Sequence, residues 1–213
     1  MEGSRDEMAQ EREVPVDRLI AFSDGVVAIA ITLLILPLTE IHRGPDANLR
    51  QVVVENWNSL LAFALSFAVI ANYWTIHHDI FRPVRRHDSR LIRLNMLWLA
   101  AIVFLPFPTA LIADRVENGF GALYIGILLV VSVLNLVIAN YLTHHPELTD
   151  GRRTDGRGYH AIQSASVITV LAAALVISLF FPTFGVLALL LLFPAQAITA
   201  RWAARTSQAP TKP

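Results

Sequence analysis

Long apolar runs, each about as long as a helix that crosses a bilayer, alternate with short polar segments along the whole chain. They cover residues 18–38, 57–75, 91–113, 120–143, 160–181 and 183–202. Roughly 20 apolar residues in a helix span the hydrocarbon layer of a membrane. Ten-residue stretches of period two, the mark of an outer-membrane barrel, do not occur, and a helix satisfies its own backbone hydrogen bonds where water is absent. The pattern therefore predicts an all-α polytopic membrane protein of six transmembrane helices. An even number of spans returns both termini to one side.

Composition agrees with that class. Hydrophobic residues make up 54% of the 213 and charged residues 16%, with a mean hydropathy of +0.52, far from a soluble domain of this size. Arginine placement supplies the orientation. Arg82, Arg85, Arg86, Arg90 and Arg93 lie between the second and third runs or at the very start of the third, and Arg152, Arg153 and Arg157 between the fourth and fifth; the other side has Arg43, Arg50 and Arg115. By the positive-inside rule the arginine-rich loops and both termini are cytoplasmic. Residues 1–17 are charged and the first apolar run is too long for a cleavable signal. They read as a mobile N-terminal tail, residues 18–205 as one transmembrane domain, and 206–213 as a mobile polar tail. With no cysteine and a net charge of +0, disulfides, thiolate metal sites and thiol catalysis are excluded, and nothing suggests nucleic acid.

The first run carries the most informative chemistry. Arg18, Phe22, Ser23 and Asp24 sit at the mouth of the helix, where an ionised carboxylate is costly enough to need a partner or a function. At 100° per residue, Arg18, Phe22, Gly25, Ile29, Thr32, Leu33 and Leu36 share one face, while Asp24 falls nearly opposite Leu33, with Ala28, Ile31 and Ile35. The first face is an apolar stripe interrupted by one hydroxyl; the second is an apolar stripe headed by a carboxylate. Candidate donors for Asp24 lie at the end of the second run, where Asn72, Trp74, His77 and His78 reach the same level. Trp74 and His78 share one helix face, Tyr73 and His77 another. An Asp accepting from Ser23, His77 and Trp74 would make a satisfied buried network. A proton relay through the same residues is the functional alternative, because histidine titrates near neutral pH.

These residues also carry a resemblance. The pattern Arg18-x-x-x-Phe22-Ser23-Asp24, with Ala28 and Thr32, followed by Tyr73-Trp74-x-x-His77-His78, resembles the family of the lysosomal potassium channel and its bacterial homologues. The resemblance implies that the first helix lines a pore, that the filter of ordinary potassium channels is missing, and that the Phe-Ser-Asp group packs near the cytoplasmic end. A single Phe-Ser-Asp implies the bacterial arrangement, a homotetramer of six-helix subunits in the plasma membrane. It also places the constriction at Ile29 and Leu36 with Thr32 or Leu33 between, potassium being the permeant ion, near Thr32, and no cofactor being needed. Rings of branched side chains gate by dewetting when narrow, and a hydroxyl ring replaces part of an ion's water shell. Packing against other helices is the alternative use of such a stripe.

Other signals weaken. Pro83 interrupts the arginines at 82–93, which suits a positive-inside loop better than a voltage sensor. His144, His145 and His160 lack a carboxylate at ligand spacing. Gly158-Tyr159 lies in a hydrophilic stretch, no Thr-Val-Gly-Tyr-Gly filter occurs, and neither His-Glu-x-x-His nor Gly-x-Ser-x-Gly is present, so no enzyme is indicated. Asn135, Asn140, Gln163, Ser164 and Ser166 read as interhelical hydrogen-bonding groups. The expectation is a homotetrameric, potassium-permeable cation channel of modest selectivity. A proton-coupled transporter using Asp24 and His77 is the runner-up, disfavoured by the lack of inverted repeats; a structural membrane subunit without flux is the third reading.

Overall fold

The computed structural model describes residues 15–41, 48–114, 120–150 and 157–180, and all regular secondary structure among them is helical. Helix α1, Val16–Leu33, starts after Pro15, whose backbone is extended, with Asp17 in its first turn where the helix dipole favours an anion. The helix therefore begins two residues before the expected start of the transmembrane domain. Pro37 cannot bond back to the preceding turn, so the chain tightens ahead of it. Leu34 N–H reaches Ile31 O at 3.3 Å and Ile35 N–H reaches Thr32 O at 3.2 Å, before α2, Leu36–Thr39.

Helix α3, Leu49–Glu55, has no counterpart among the apolar runs. A capping box opens it: Gln51 N–H donates to Asn48 Oδ1 at 2.9 Å and Asn48 N–H to Gln51 Oε1 at 3.1 Å. Helix α4, Trp57–Phe81, runs six residues past the predicted span. Asp88 caps α5, Ser89–Phe104, accepting from Leu91 N–H at 2.8 Å. The third span breaks at Leu105 before α6, Pro106–Asp114, as its two prolines require; the Ile102 carbonyl, which Pro106 cannot serve, accepts from Leu105 N–H at 3.1 Å. Helix α7, Phe120–His144, leads through a 3-10 turn, Pro146–Leu148, to α8, Arg157–Phe180. Gly158 and Tyr159 thus belong to a helix rather than a loop.

Four helical stretches, Val16–Thr39, Trp57–Phe81, Ser89–Ala113 and Phe120–His144, are long and apolar enough to cross a membrane. The expected sixth span, the C-terminal tail and most of the N-terminal tail lie outside the described residues, as do the turns at Gly44-Pro45 and Asn118-Gly119. Helix α7 packs against α8, α5 and α6, and α5 also packs on α1. Trp98, Tyr124, Phe81, Ile70, Leu128 and Leu171 fill the space between them. The loop after α4 and the turn after α7 pair at one end: Val84 bridges Thr149, and Arg85 and Arg86 N–H groups both reach Leu148 O, at 2.8 and 3.1 Å. Arg85 adds an ion pair to Asp150 at 3.7 Å.

Candidate functional site

Two faces of α1 meet different surroundings. Leu19, Ser23, Val27 and Ala30 are buried against the other helices, and Leu34 follows them inward. The opposite face is bare in the protomer: Arg18, Phe22, Gly25, Ile29, Thr32, Leu33 and Leu36 are all exposed, Ile29 at 61% and Leu36 at 51%. A Cβ built on Gly25 meets nothing within 4 Å. Thr32 Oγ1 donates to Ile29 O at 2.8 Å. Its one proton is thereby committed to the backbone, and its remaining lone pairs can act only as acceptors. Such an oxygen suits a cation.

The polar residues near the start of α1 divide into two groups. In the buried one, His77 Nε2 lies 2.8 Å from Asn95 Oδ1, Asn95 Nδ2 donates to Ser23 Oγ at 2.9 Å, and Ser23 Oγ donates to Leu19 O at 2.9 Å. With the amide so oriented, His77 Nε2 carries the hydrogen. The imidazole is stacked between Trp98 and Phe81, with ring centroids at 4.0 and 4.4 Å. In the outer group, Trp74 Nε1 donates to Asp24 Oδ1 at 2.8 Å, and the exposed His78 ring lies 5.7 Å from the Trp74 ring. The single network expected around Asp24 is therefore two. Consecutive residues of a helix point about 100° apart, so Ser23 turns into the core while Asp24 stays at its edge. Asn95, which completes the buried chain, stands alone in an apolar run and carries no sequence signal.

Further clusters hold the helices together. Tyr73 OH lies 2.6 Å from Ser132 Oγ and 3.3 Å from Leu128 O; Ser66 Oγ lies 2.9 Å from Thr109 Oγ1 and 3.2 Å from Tyr124 OH. Asn135 does not serve as the interhelical donor expected of it. Among the described residues its amide is buried with no hydrogen-bond partner, between Val131 and Ile138 on the buried face of α7. At the arginine-bearing end the Tyr141 hydroxyl donates to Asp88 Oδ2. Desolvation opposes the Asp88 carboxylate, but the Tyr141 and Leu91 hydrogen bonds outweigh it and hold the group below the usual carboxylate range. Among the described residues no group of three His, Cys, Asp or Glu could hold a metal ion.

Comparison with known proteins puts this geometry in context. A family model described as "Endosomal/lysosomal potassium channel TMEM175" matches residues 18–106, and one described as "TMEM128 protein" matches residues 87–196. A potassium channel of Streptomyces collinus is 36% identical over 140 residues, 63% of this chain and 68% of the relative. One from Chamaesiphon minutus is 38% identical over 139 residues, 62% of this chain and 66% of the relative. The human endosomal/lysosomal proton channel TMEM175 is 28% identical over 148 residues, which amount to 29% of its length. The crystal structure of a lysosomal potassium-selective channel TMEM175 homologue from Chamaesiphon minutus superimposes with a TM-score of 0.68 at 28% identity, covering 91% of this chain and 98% of that one.

Proposed function

The chain belongs to the TMEM175 family of potassium channels, and from that premise we propose that it forms a homotetrameric, potassium-permeable cation channel in the bacterial plasma membrane, with the bare face of α1 lining the pore. One observation carries the reading: the stripe Phe22, Ile29, Leu33 and Leu36 is 38–61% exposed, whereas Leu19, Ser23, Val27 and Ala30 on the other side of the same helix are buried. One stripe cannot enclose an axis, and closed rotational symmetry is the usual way to complete it. Four copies bring the Ile29 and Leu36 rings to the axis as a hydrophobic constriction. Between them a Thr32 ring offers oxygen lone pairs to a partly dehydrated potassium ion. Both termini are cytoplasmic in this arrangement, on the side of the arginine-rich loops. The chain is a channel and not an enzyme.

The Phe-Ser-Asp group then has a structural task. Ser23 ties α1 to α4 and α5 through Asn95 and His77, and Asp24 ties the outer edge of α1 to Trp74. A transporter relay from Asp24 to His77 is disfavoured by the same bonds, since Asp24 is joined to Trp74 and His77 to Asn95. The test is flux from liposomes containing the purified protein under a potassium gradient. The reading expects fast potassium-dependent dissipation, weaker sodium flux and unitary steps in planar bilayers. Slow, saturable and strictly pH-linked uptake would favour the transporter. Because the human relative is named a proton channel, an interior pH dye belongs in the same vesicles.

A further inference from the structure

We propose that the arginine-bearing end of α5 holds the headgroup of an anionic phospholipid, with Arg90 and Arg93 as its guanidinium pair and the exposed apolar face of the same helix as the seat of its acyl chains. The two arginines are exposed and lie one turn apart. From them the same face of the third span continues inward as Leu97, Phe104 and Phe107, exposed at 58%, 47% and 53%. A ligand matching this surface is anionic at one end and long and apolar at the other. Free phosphate has only the first property.

The local bonds leave this charge available. Arg93 Nε donates to Ser89 O at 3.1 Å, which turns the side chain back toward the helix start and uses one of the five guanidinium donors. Of the carboxylates at this end, Asp150 pairs with Arg85, and Asp88 accepts from Tyr141 and Leu91 N–H. Two arginines in the first turns of a helix also oppose its dipole, so helix stability does not account for them. The rim itself is fixed, by the Val84–Thr149 bridge and the Asp88–Tyr141 bond. A planar guanidinium donates in pairs to phosphate oxygens, and basic residues beside a transmembrane helix are where anionic headgroups are held.

Phosphatidylglycerol retained by the purified full-length protein, counted by native mass spectrometry against phosphatidylcholine, tests the proposal. Wild type is expected to keep phosphatidylglycerol preferentially, and Arg90→Gln/Arg93→Gln to keep it on the order of tenfold less. Arg82→Gln/Arg86→Gln removes equal charge from the same end and should retain it. Equal losses from the two double variants would mean a diffuse surface charge and overturn the site. So would a wild type without preference, or displacement of the lipid by soluble glycerol phosphate. Should the glutamine variant fail to fold, Arg90→Lys/Arg93→Lys decides: it keeps the charge but loses the paired geometry, and unchanged retention there overturns the proposal.

Discussion

Trp74 holds Asp24 by a 2.8 Å indole hydrogen bond at the edge of the protomer, one residue from the serine that Asn95 holds inside it. The carboxylate is thus an acceptor for one neutral donor, and an amide can fill that part. Asp24→Asn should preserve the bond and the assembly, whereas Asp24→Ala strands the Trp74 N–H and should lower the unfolding midpoint. Thermal unfolding followed by size-exclusion fluorescence separates the two, and equal damage from both would assign the charge itself a role.

The inner chain should be the more costly to break. Asn95→Ala removes the acceptor of His77 and the donor to Ser23 together, in a layer closed to solvent. Each buried group left unsatisfied costs roughly 1–3 kcal/mol, so the loss should exceed that of Asp24→Ala and appear first as a failure to assemble. His77→Phe at the same stacked position is milder, because only the Asn95 oxygen is left without a partner.

Asn135 predicts the reverse sign. Its amide lies buried with no hydrogen-bond partner among the described residues, and an apolar residue of similar volume avoids that desolvation. Asn135→Leu should raise stability, by up to about 1–3 kcal/mol. A clear loss of stability on denaturation would show that the amide is satisfied in the assembled protein.

Asp88 provides a pH test at the arginine-bearing end. Its folded pKa lies below its unfolded value, so its contribution to stability is complete above the ordinary carboxylate range and is lost as pH falls through the depressed folded value. Tyr141→Phe deletes one of the bonds responsible. The variant should be less stable than wild type at neutral pH, and the gap should close as the solution is acidified below that range. A gap independent of pH would mean that Tyr141 acts through packing alone.

How far the architecture could be read from the residues differs between elements. Among the described residues the apolar runs located the long helices, because a bilayer demands length, though not α3, and the break at Leu105 followed from Pro106 and Pro108. The bare stripe of α1 was legible because seven positions recur at helical spacing, and periodicity is the signal that a single sequence carries best. Asn95 was not legible: one amide in an apolar run looks the same whether it meets a partner, as Asn95 does, or none, as Asn135 does. Only the packing of α5 on α1 and α4 decides between them. The separation of Ser23 from Asp24 is implicit in the 100° step between consecutive helix residues, which turns the serine inward and leaves the carboxylate at the edge.

The α1 stripe is where permeation should respond. If Ile29 and Leu36 close a narrow apolar ring, Ile29→Ala and Leu36→Ala widen and wet it, so cation flux should rise and discrimination blur. Thr32→Val keeps the shape but removes the oxygen whose proton is already committed to Ile29 O; potassium preference should fall while folding is untouched. The packed side of the helix supplies the control. Ile31 is half-buried against the core, and Ile31→Ala should cost stability with little change in flux per assembled channel. Ile35 is less suitable, being 42% exposed near the break in the helix. Potassium, sodium and caesium flux, normalised to assembled protein, separates the faces: if Ile31→Ala changes selectivity as strongly as Thr32→Val, the bare stripe is a packing surface and the pore lies elsewhere.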